Sequence, residues 1–162
     1  DDRFQLLTRG RRTALPRHQT LRAAFDWSYE LLSAAERRVM RGLGIFTGRF
    51  TMEAAASVLG DDTLRAADVD ESVANLVEKS LVMADVGETV VSYRLTDTAR
   101  AYALKKLAET GELPGLSRRH ARHHLALFER AQIDWETEPT ASWLATHASA
   151  LDELRSALER FR

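Results

Sequence analysis

Three histidines within five residues are the most concentrated group of chemistry-bearing side chains in this 162-residue chain. His120 and His124 are one helical turn apart, with His123 beside them, and this spacing is compatible with metal ligation on one helix face. The sequence contains no cysteine and no His-Glu-x-x-His motif that would supply further ligands. We therefore interpret the three histidines as exposed or partly packed side chains of a basic helix, and we predict no metal site.

Patterns for other kinds of active site are also missing from the sequence. There is no Gly-x4-Gly-Lys-Ser/Thr string for binding phosphates, and Gly42, Gly44 and Gly48 follow a predicted helix rather than a strand. We interpret these glycines as a helix stop. The sequence also shows no Ser-His-Asp or paired-carboxylate pattern that would indicate a catalytic site. The sequence thus predicts no catalytic residue, no enzyme activity and no cofactor in this chain.

Charge is unevenly distributed although the total is close to neutral, with 23 Lys and Arg against 24 Asp and Glu. Residues 1–50 carry ten basic and five acidic side chains, whereas residues 51–97 carry three and ten. Binding to a polyanion requires a surplus of Lys and Arg on some face, so the acidic middle block argues against it. No long apolar run or signal sequence occurs, which predicts a cytoplasmic protein without a membrane segment. The abrupt first and last residues suggest a piece of a longer protein.

Helical periodicity predicts the elements of the first half of the chain. Apolar residues from Thr20 to Leu32 predict a helix buried on a broad face, with Trp27 in the core. Ser33 and Glu36 have capping-box spacing, which predicts a second helix from about Ala34 to Leu43. Thr51 is the predicted N-cap of a short third helix through Val58.

A fourth helix and a β-hairpin follow. Asp68 and Glu71 again have capping-box spacing, and Leu76 lies on the predicted buried side of a helix that runs to about Lys79. The β-rich stretches 81–86 and 89–95 flank a Gly-Glu turn and predict a hairpin.

The remaining chain is predicted to be helical. One helix runs from Asp97 to a C-cap at Gly111, and Pro114-Gly115 is predicted to separate it from the next. Stretches 116–133 and 141–161 then predict an antiparallel helical pair.

The order of three helices and a hairpin is that of a winged helix. We predict a mainly α fold, in which the winged helix is followed by a helical hairpin that begins a TPR-like repeat domain. The predicted domains are a linker at residues 1–19, the winged helix with flanking helices at 20–112, and the helical pair at 113–162.

A winged helix is typical of DNA-binding proteins, in which its third helix lies in the major groove. That helix carries four acidic residues and only Lys79 as a base, which favours a protein–protein role. Autonomous DNA binding remains the alternative.

Five strings of the sequence resemble the region that follows the nucleotide-binding core in bacterial signal-transduction ATPases with numerous domains (STAND). The similarity is to the large LuxR-type and AfsR-type transcriptional regulators, whose core is NB-ARC-like. It covers residues 1–130 well and 140–162 more loosely. The strings are Asp2–Thr8, Arg17–Ala24, Asp26–Leu32, Leu76–Val82 and Tyr93–Ala103.

The resemblance implies a non-catalytic regulatory fragment whose winged helix packs on the nucleotide-binding core and helps to hold the ADP-bound state. ATP and ADP would bind to the parent protein, DNA to a separate domain, and the partners of this fragment would be the upstream core and the downstream repeats of the same chain. The family's Met-His-Asp motif aligns with Leu95-Thr96-Asp97. Thr96 and Asp97 would then be close to the nucleotide, with Asp97 capping the following helix, and Arg17 and His18 would also approach it.

Overall fold

A computed structural model describes residues 20–87, 91–136 and 139–159. The chain divides into two compact units after Ser33. In the first, helix α1 spans residues 20–30. Trp27, predicted as a core side chain, is 67% exposed, so that prediction is wrong. Helical periodicity identifies residues that share a face, but it does not show that another element covers the face.

The second unit opens with helix α2 (Ala34–Leu43), whose bounds agree with the predicted ones. Its buried side carries Val39, Met40 and Leu43. Glu36 is buried as well, and one of its carboxylate oxygens accepts a hydrogen bond from the Lys79 ammonium at 2.5 Å. This contact joins the start of α2 to the end of a later helix.

A helix–turn–helix follows, made of α3 (Met52–Leu59) and α4 (Ala66–Glu78). Thr51 caps α3 as predicted, its hydroxyl oxygen accepting from the Ala54 amide at 3.1 Å. The prediction that a capping box begins at Asp68 is wrong, because α4 begins at Ala66, two residues before Asp68. Asp68 is the third residue of the helix, and its carboxylate accepts from the Arg65 amide at 3.1 Å. A carboxylate can satisfy helix-start amides from the N-cap or from the third residue of the helix. An aspartate alone therefore does not show where the helix begins.

The predicted hairpin is present as strands β1 (Met83–Val86) and β2 (Val91–Arg94), which pair antiparallel with Met83 opposite Arg94. Phe50 adds a short bridge on the other side of β2, exchanging two backbone hydrogen bonds of 2.8 and 2.9 Å with Tyr93. The wing is thereby attached to the segment that precedes α3.

Three helices complete the unit, and they are α5 (Asp97–Glu109), α6 (Leu113–Trp135) and α7 (Thr140–Glu159). Gly111, with φ of +72°, follows the C-cap of α5, where a left-handed residue commonly ends a helix. The predicted break at Pro114-Gly115 is wrong, since both residues lie in the first turn of α6. A proline there removes no helical hydrogen bond, because the first amides of a helix have no partner in it.

α6 and α7 run antiparallel, as predicted. The Trp143 indole donates to the Ala131 carbonyl at 2.7 Å near one end of the pair, and His120 contacts Glu153 nearer the other. α6 also docks on the helix–turn–helix, where Arg119 forms an ion pair of 3.2 Å with Asp61 in the turn. The largest fully buried apolar side chains of the described residues include Met40, Leu43, Ile45, Val58, Val69, Val73, Leu76 and Leu107. Within the part of the chain that the structure describes, no helix is both long enough and apolar enough to cross a membrane.

Candidate functional site

Helix α4 and the β1–β2 hairpin follow one another in the chain and expose acidic and apolar side chains, and together they are called here the α4–wing surface. On α4, the side chains of Asp70, Glu71 and Glu78 are exposed. On the hairpin, Met83 is 42% and Val86 is 83% exposed. These residues give the surface negative charge and apolar area together.

The basic side chains near this surface are engaged by carboxylates. Arg49 and Arg94 both pair with Asp85 of β1, at 2.9 and 3.5 Å. Arg65 pairs with Asp68 at 2.8 Å, and its hydrogen bond holds the pKa of that carboxyl below its usual range. Neutralising a phosphate would therefore require these arginines to exchange existing partners.

Lys79, the only base expected on the fourth helix, is also paired. Its ammonium donates to the buried Glu36 carboxylate, although the lysine side chain itself is 44% exposed. Removing this lysine from Glu36 would leave a buried charge without that partner. The sequence-based expectation that α4 presents acidic residues is thus strengthened by the structure.

A second group of candidate residues lies between α6 and α7. His120 has no exposed surface and His124 is only 4% exposed, so the expectation of exposed or partly packed side chains is wrong for both. The rings of the two residues are 4.4 Å apart between centroids, and Phe46 contacts His120 edge-on at 5.3 Å. The basic residues Arg118 and Arg122 lie on the exposed side of the same helix. One helix therefore combines a basic outer face with an inner face that buries two imidazoles.

Glu153 of α7 is the residue that sequence reasoning missed. It is 3% exposed, and one carboxylate oxygen accepts from the amides of Thr47 and Gly48, each at 2.6 Å. The other oxygen lies 3.2 Å from Nε2 of His120. Burial raises the pKa of Glu153, but the hydrogen bonds from His120 and the two amides outweigh it and hold the pKa below its usual range. No local pattern identifies this residue, because its partners are 33 and more than 100 positions away in the chain.

A cavity of about 260 Å³ adjoins this group. His124 and Glu153 form part of its wall, together with His123 and His147. His123 also contacts the Ser57 hydroxyl, with 3.0 Å between Nδ1 and the oxygen, and burial lowers its pKa. Polar side chains thus converge on a space that is large enough for water or a small ligand.

Comparison with known proteins finds similarity in the part of the chain that contains the first of these two regions. Residues 32–108 match the family model of the winged helix-turn-helix domain. This part of the chain is similar to that family, and its three helices and hairpin have the order of a winged helix. The match ends before α6, so the histidines and Glu153 lie outside the part of the chain that the family describes.

Similarity to individual proteins extends beyond residues 32–108 and covers most of this chain. A protein of Mycobacterium tuberculosis strain H37Rv named "Putative HTH-type transcriptional regulator" is 38% identical over 158 residues, and so is its counterpart in Mycobacterium bovis. The aligned part covers 97% of this chain but only 18% of either relative. An uncharacterized protein of the same M. tuberculosis strain is 34% identical over 124 residues, which are 76% of this chain and 32% of that protein. The chain thus spans a minor part of the curated relatives that it matches.

Within residues 32–108, the turn before α5 carries two of the residues predicted to be near a nucleotide. Thr96 and Asp97 are both exposed. Asp97 was expected to cap α5, but the N-cap is Thr96, whose hydroxyl oxygen accepts from the Ala99 amide at 3.2 Å. Threonine caps helices well, so the residue ahead of the aspartate takes the position, and Asp97 becomes the first residue of the helix. The other two predicted residues, Arg17 and His18, lie outside the described residues.

Proposed function

We propose that this chain is a non-catalytic regulatory module of a larger transcriptional regulator, in which the α4–wing surface packs against another domain of the same protein. The proposed partner is the nucleotide-binding core of a STAND-type ATPase, which would bind ATP or ADP in the cytoplasm. A separate domain would bind DNA, and TPR-like repeats would continue from α6 and α7. The observation that carries the proposal is the charge of the α4–wing surface, where Asp70, Glu71 and Glu78 are exposed.

The surface chemistry suits a protein partner better than a phosphate backbone. Exposed carboxylates repel phosphates, and DNA affinity depends on Lys and Arg contacts that release counterions. Here Arg49, Arg94 and Arg65 already pair with carboxylates. The exposed Val86 and Met83 supply apolar area of the kind that protein interfaces bury.

The length of the relatives supports the presence of further domains. The chain aligns along 97% of its own length but covers 18% of the relatives named as regulators. Such a parent has room for both a nucleotide-binding core and a DNA reader. Nucleotide state would then shift the population between docked and released arrangements, because only differential contacts can bias such an equilibrium.

Charge reversal in the parent protein tests the docking surface. The double variant Asp70→Lys and Glu71→Lys changes two exposed side chains of α4, and we expect faster release of bound ADP, since the docked arrangement loses its electrostatic complement. Glu129→Lys, on the exposed side of α6, is the matched control. An ADP off-rate that is equal in wild type and in both variants would contradict the proposal.

The turn at Thr96 provides a second test. Thr96→His would place an imidazole where the resembled family has one, and we expect slower ADP release and lower basal reporter output. The substitution also removes a helix cap worth about 1 kcal/mol. Thr96→Asn keeps the cap without an imidazole and separates the two effects. If His and Asn variants release ADP at the same rate, the turn does not reach the nucleotide.

Autonomous DNA binding is the second candidate function, favoured by the winged helix-turn-helix match at residues 32–108 and by relatives that are named as HTH-type transcriptional regulators. In such domains the second helix of the motif, here α4, enters the major groove. A gel-shift titration of the chain at several salt concentrations distinguishes the two candidates. Retardation at physiological salt that weakens steeply as salt increases supports DNA binding, and its absence supports the regulatory role.

A further inference from the structure

We propose that His120, His124 and Glu153 bind one divalent transition-metal ion of the Zn²⁺ class, buried where α6 and α7 meet the turn at residues 47–48. The proposal does not depend on the function suggested above. It concerns a part of the chain that the winged helix-turn-helix family does not cover.

The spacing of the three side chains is close to that of a zinc site. One ligand atom from each residue lies within 4.8 Å of the others. His120 Nε2 and Glu153 Oε2 are 3.2 Å apart. Ligands held at about 2.0–2.1 Å in a tetrahedron are separated by about 3.3–3.4 Å. The His120–Glu153 edge therefore has nearly the required length, and His124 reaches the site by a side-chain movement of about 1–2 Å, estimated from the same tetrahedral geometry.

The donor set has the right chemistry for this class of metal. Imidazole nitrogen and carboxylate oxygen are both zinc ligands, and two histidines with one glutamate form a recognised three-ligand set that leaves a fourth position open. His120 and His124 are i and i+4 on α6, so one helix face presents both rings, while Glu153 approaches from α7. The carboxylate would offset one of the two positive charges of the ion.

Burial also separates this group from solvent. His120 has no exposed surface, and within the described part of the chain its Nδ1 has no hydrogen-bond partner. Its Nε2 contacts the Glu153 carboxylate. Buried polar groups normally satisfy their hydrogen-bonding capacity, so a buried imidazole with an unpartnered nitrogen is costly. Coordination through Nε2 would replace the hydrogen bond to Glu153 with a metal bond at the same nitrogen.

The surroundings provide a place for the fourth ligand. The cavity of about 260 Å³ has His124 and Glu153 in its wall, so a water molecule can complete the tetrahedron from that side. Glu153 keeps its second oxygen on the amides of Thr47 and Gly48, which orient the carboxylate. The ion would therefore connect the helical pair to the turn that follows α2.

Metal titration of the whole chain, untagged and first treated with chelator, tests the proposal. By calorimetry we expect one Zn²⁺ per chain, and by visible spectroscopy we expect the absorption of tetrahedral Co²⁺. His124→Gln should weaken Zn²⁺ binding at least tenfold and abolish the Co²⁺ spectrum, since even outer-shell changes cost 10–100-fold. Arg122→Gln, on the exposed side of the same helix, is the matched control and should keep both signals.

Two further outcomes complete the design. Glu153→Gln keeps the shape of the side chain and an acceptor for the two amides, so it should remain folded by circular dichroism while losing the Co²⁺ spectrum. If wild type binds no Zn²⁺ at micromolar concentration, the proposal is overturned. The same holds if His124→Gln and Glu153→Gln are folded and bind as tightly as wild type, because the ion would then be bound outside this cluster.

Discussion

Replacing Glu153 by alanine should destabilise the chain by about 3–5 kcal/mol, even without any metal. The carboxylate is 3% exposed and accepts hydrogen bonds from two backbone amides and from His120. Bonds to a charged acceptor contribute about 1.5–3 kcal/mol each, and part of that total offsets the cost of burying the charge. Removing one member of a buried pair leaves its partners unsatisfied, which typically costs about 3–5 kcal/mol. This is a large fraction of an ordinary stability of about 5–15 kcal/mol.

The measurement is urea unfolding of the chain at neutral pH in the presence of EDTA, so that ion binding does not contribute. Glu129→Ala, at an exposed position of α6, is the control and should change the free energy of unfolding by less than about 0.5 kcal/mol. Glu153→Gln retains an acceptor for the amides and should lose less than the alanine variant. A loss below about 1 kcal/mol for Glu153→Ala would show that the three hydrogen bonds do not hold α7 in place.

Two further predictions concern packing and charge. Leu76→Ala should cost about 2–5 kcal/mol because Leu76 has no exposed surface, whereas Trp27→Ala, at a 67% exposed position, should cost well under 1 kcal/mol in the same urea titration. Glu112→Gln should cost roughly 0.5–1 kcal/mol at neutral pH, because the hydrogen bond from Arg41 lowers the pKa of Glu112 and the pair is partly exposed. Since that pKa is lower in the folded state, the contribution is present above the ordinary glutamate pKa. It disappears as pH falls through the folded value.

Each of these two predictions can be contradicted by a specific result. Equal losses for Leu76→Ala and Trp27→Ala would mean that the assigned core is wrong. A Glu112→Gln difference that stays constant from neutral to strongly acidic pH would remove the ion pair as its cause. The Lys105–Glu109 pair on α5, with both side chains about half exposed, provides a control in which Glu109→Gln should change little.

The winged-helix elements were predictable from sequence because their signals are local. The bounds of α2, the Thr51 cap and the hairpin at 83–94 each depend on residues close together in the chain. The errors at Asp68 and Pro114 are of another kind. Asp68 is a helix-start signal and Pro114 is a helix breaker. Each of these residue types is nevertheless acceptable at more than one position in the first turn of a helix, so neither fixes where the helix begins.

The buried histidine group was not predictable from the residues themselves. A run of three histidines among arginines has the composition of a solvated helix face. His120 contacts Glu153 of α7 and Phe46, which are distant in sequence, and His124 packs on the His120 ring. Similarly, the acidic character of α4 could be read from the sequence, whereas the pairing of Arg49 with Asp85 required the fold.

The hydrogen bonds that the Thr47 and Gly48 amides donate to Glu153 also affect how this chain can be divided into fragments. The winged helix-turn-helix match stops at residue 108, yet a recombinant fragment ending there would lack α6 and α7 altogether. It would expose Phe46, which is 2% exposed in the intact chain, and leave two amides without their carboxylate. A boundary drawn from sequence similarity would thus cut through a folding unit. Expression designs, and any exchange of domains between regulators of this kind, should keep the winged helix and the helical pair together.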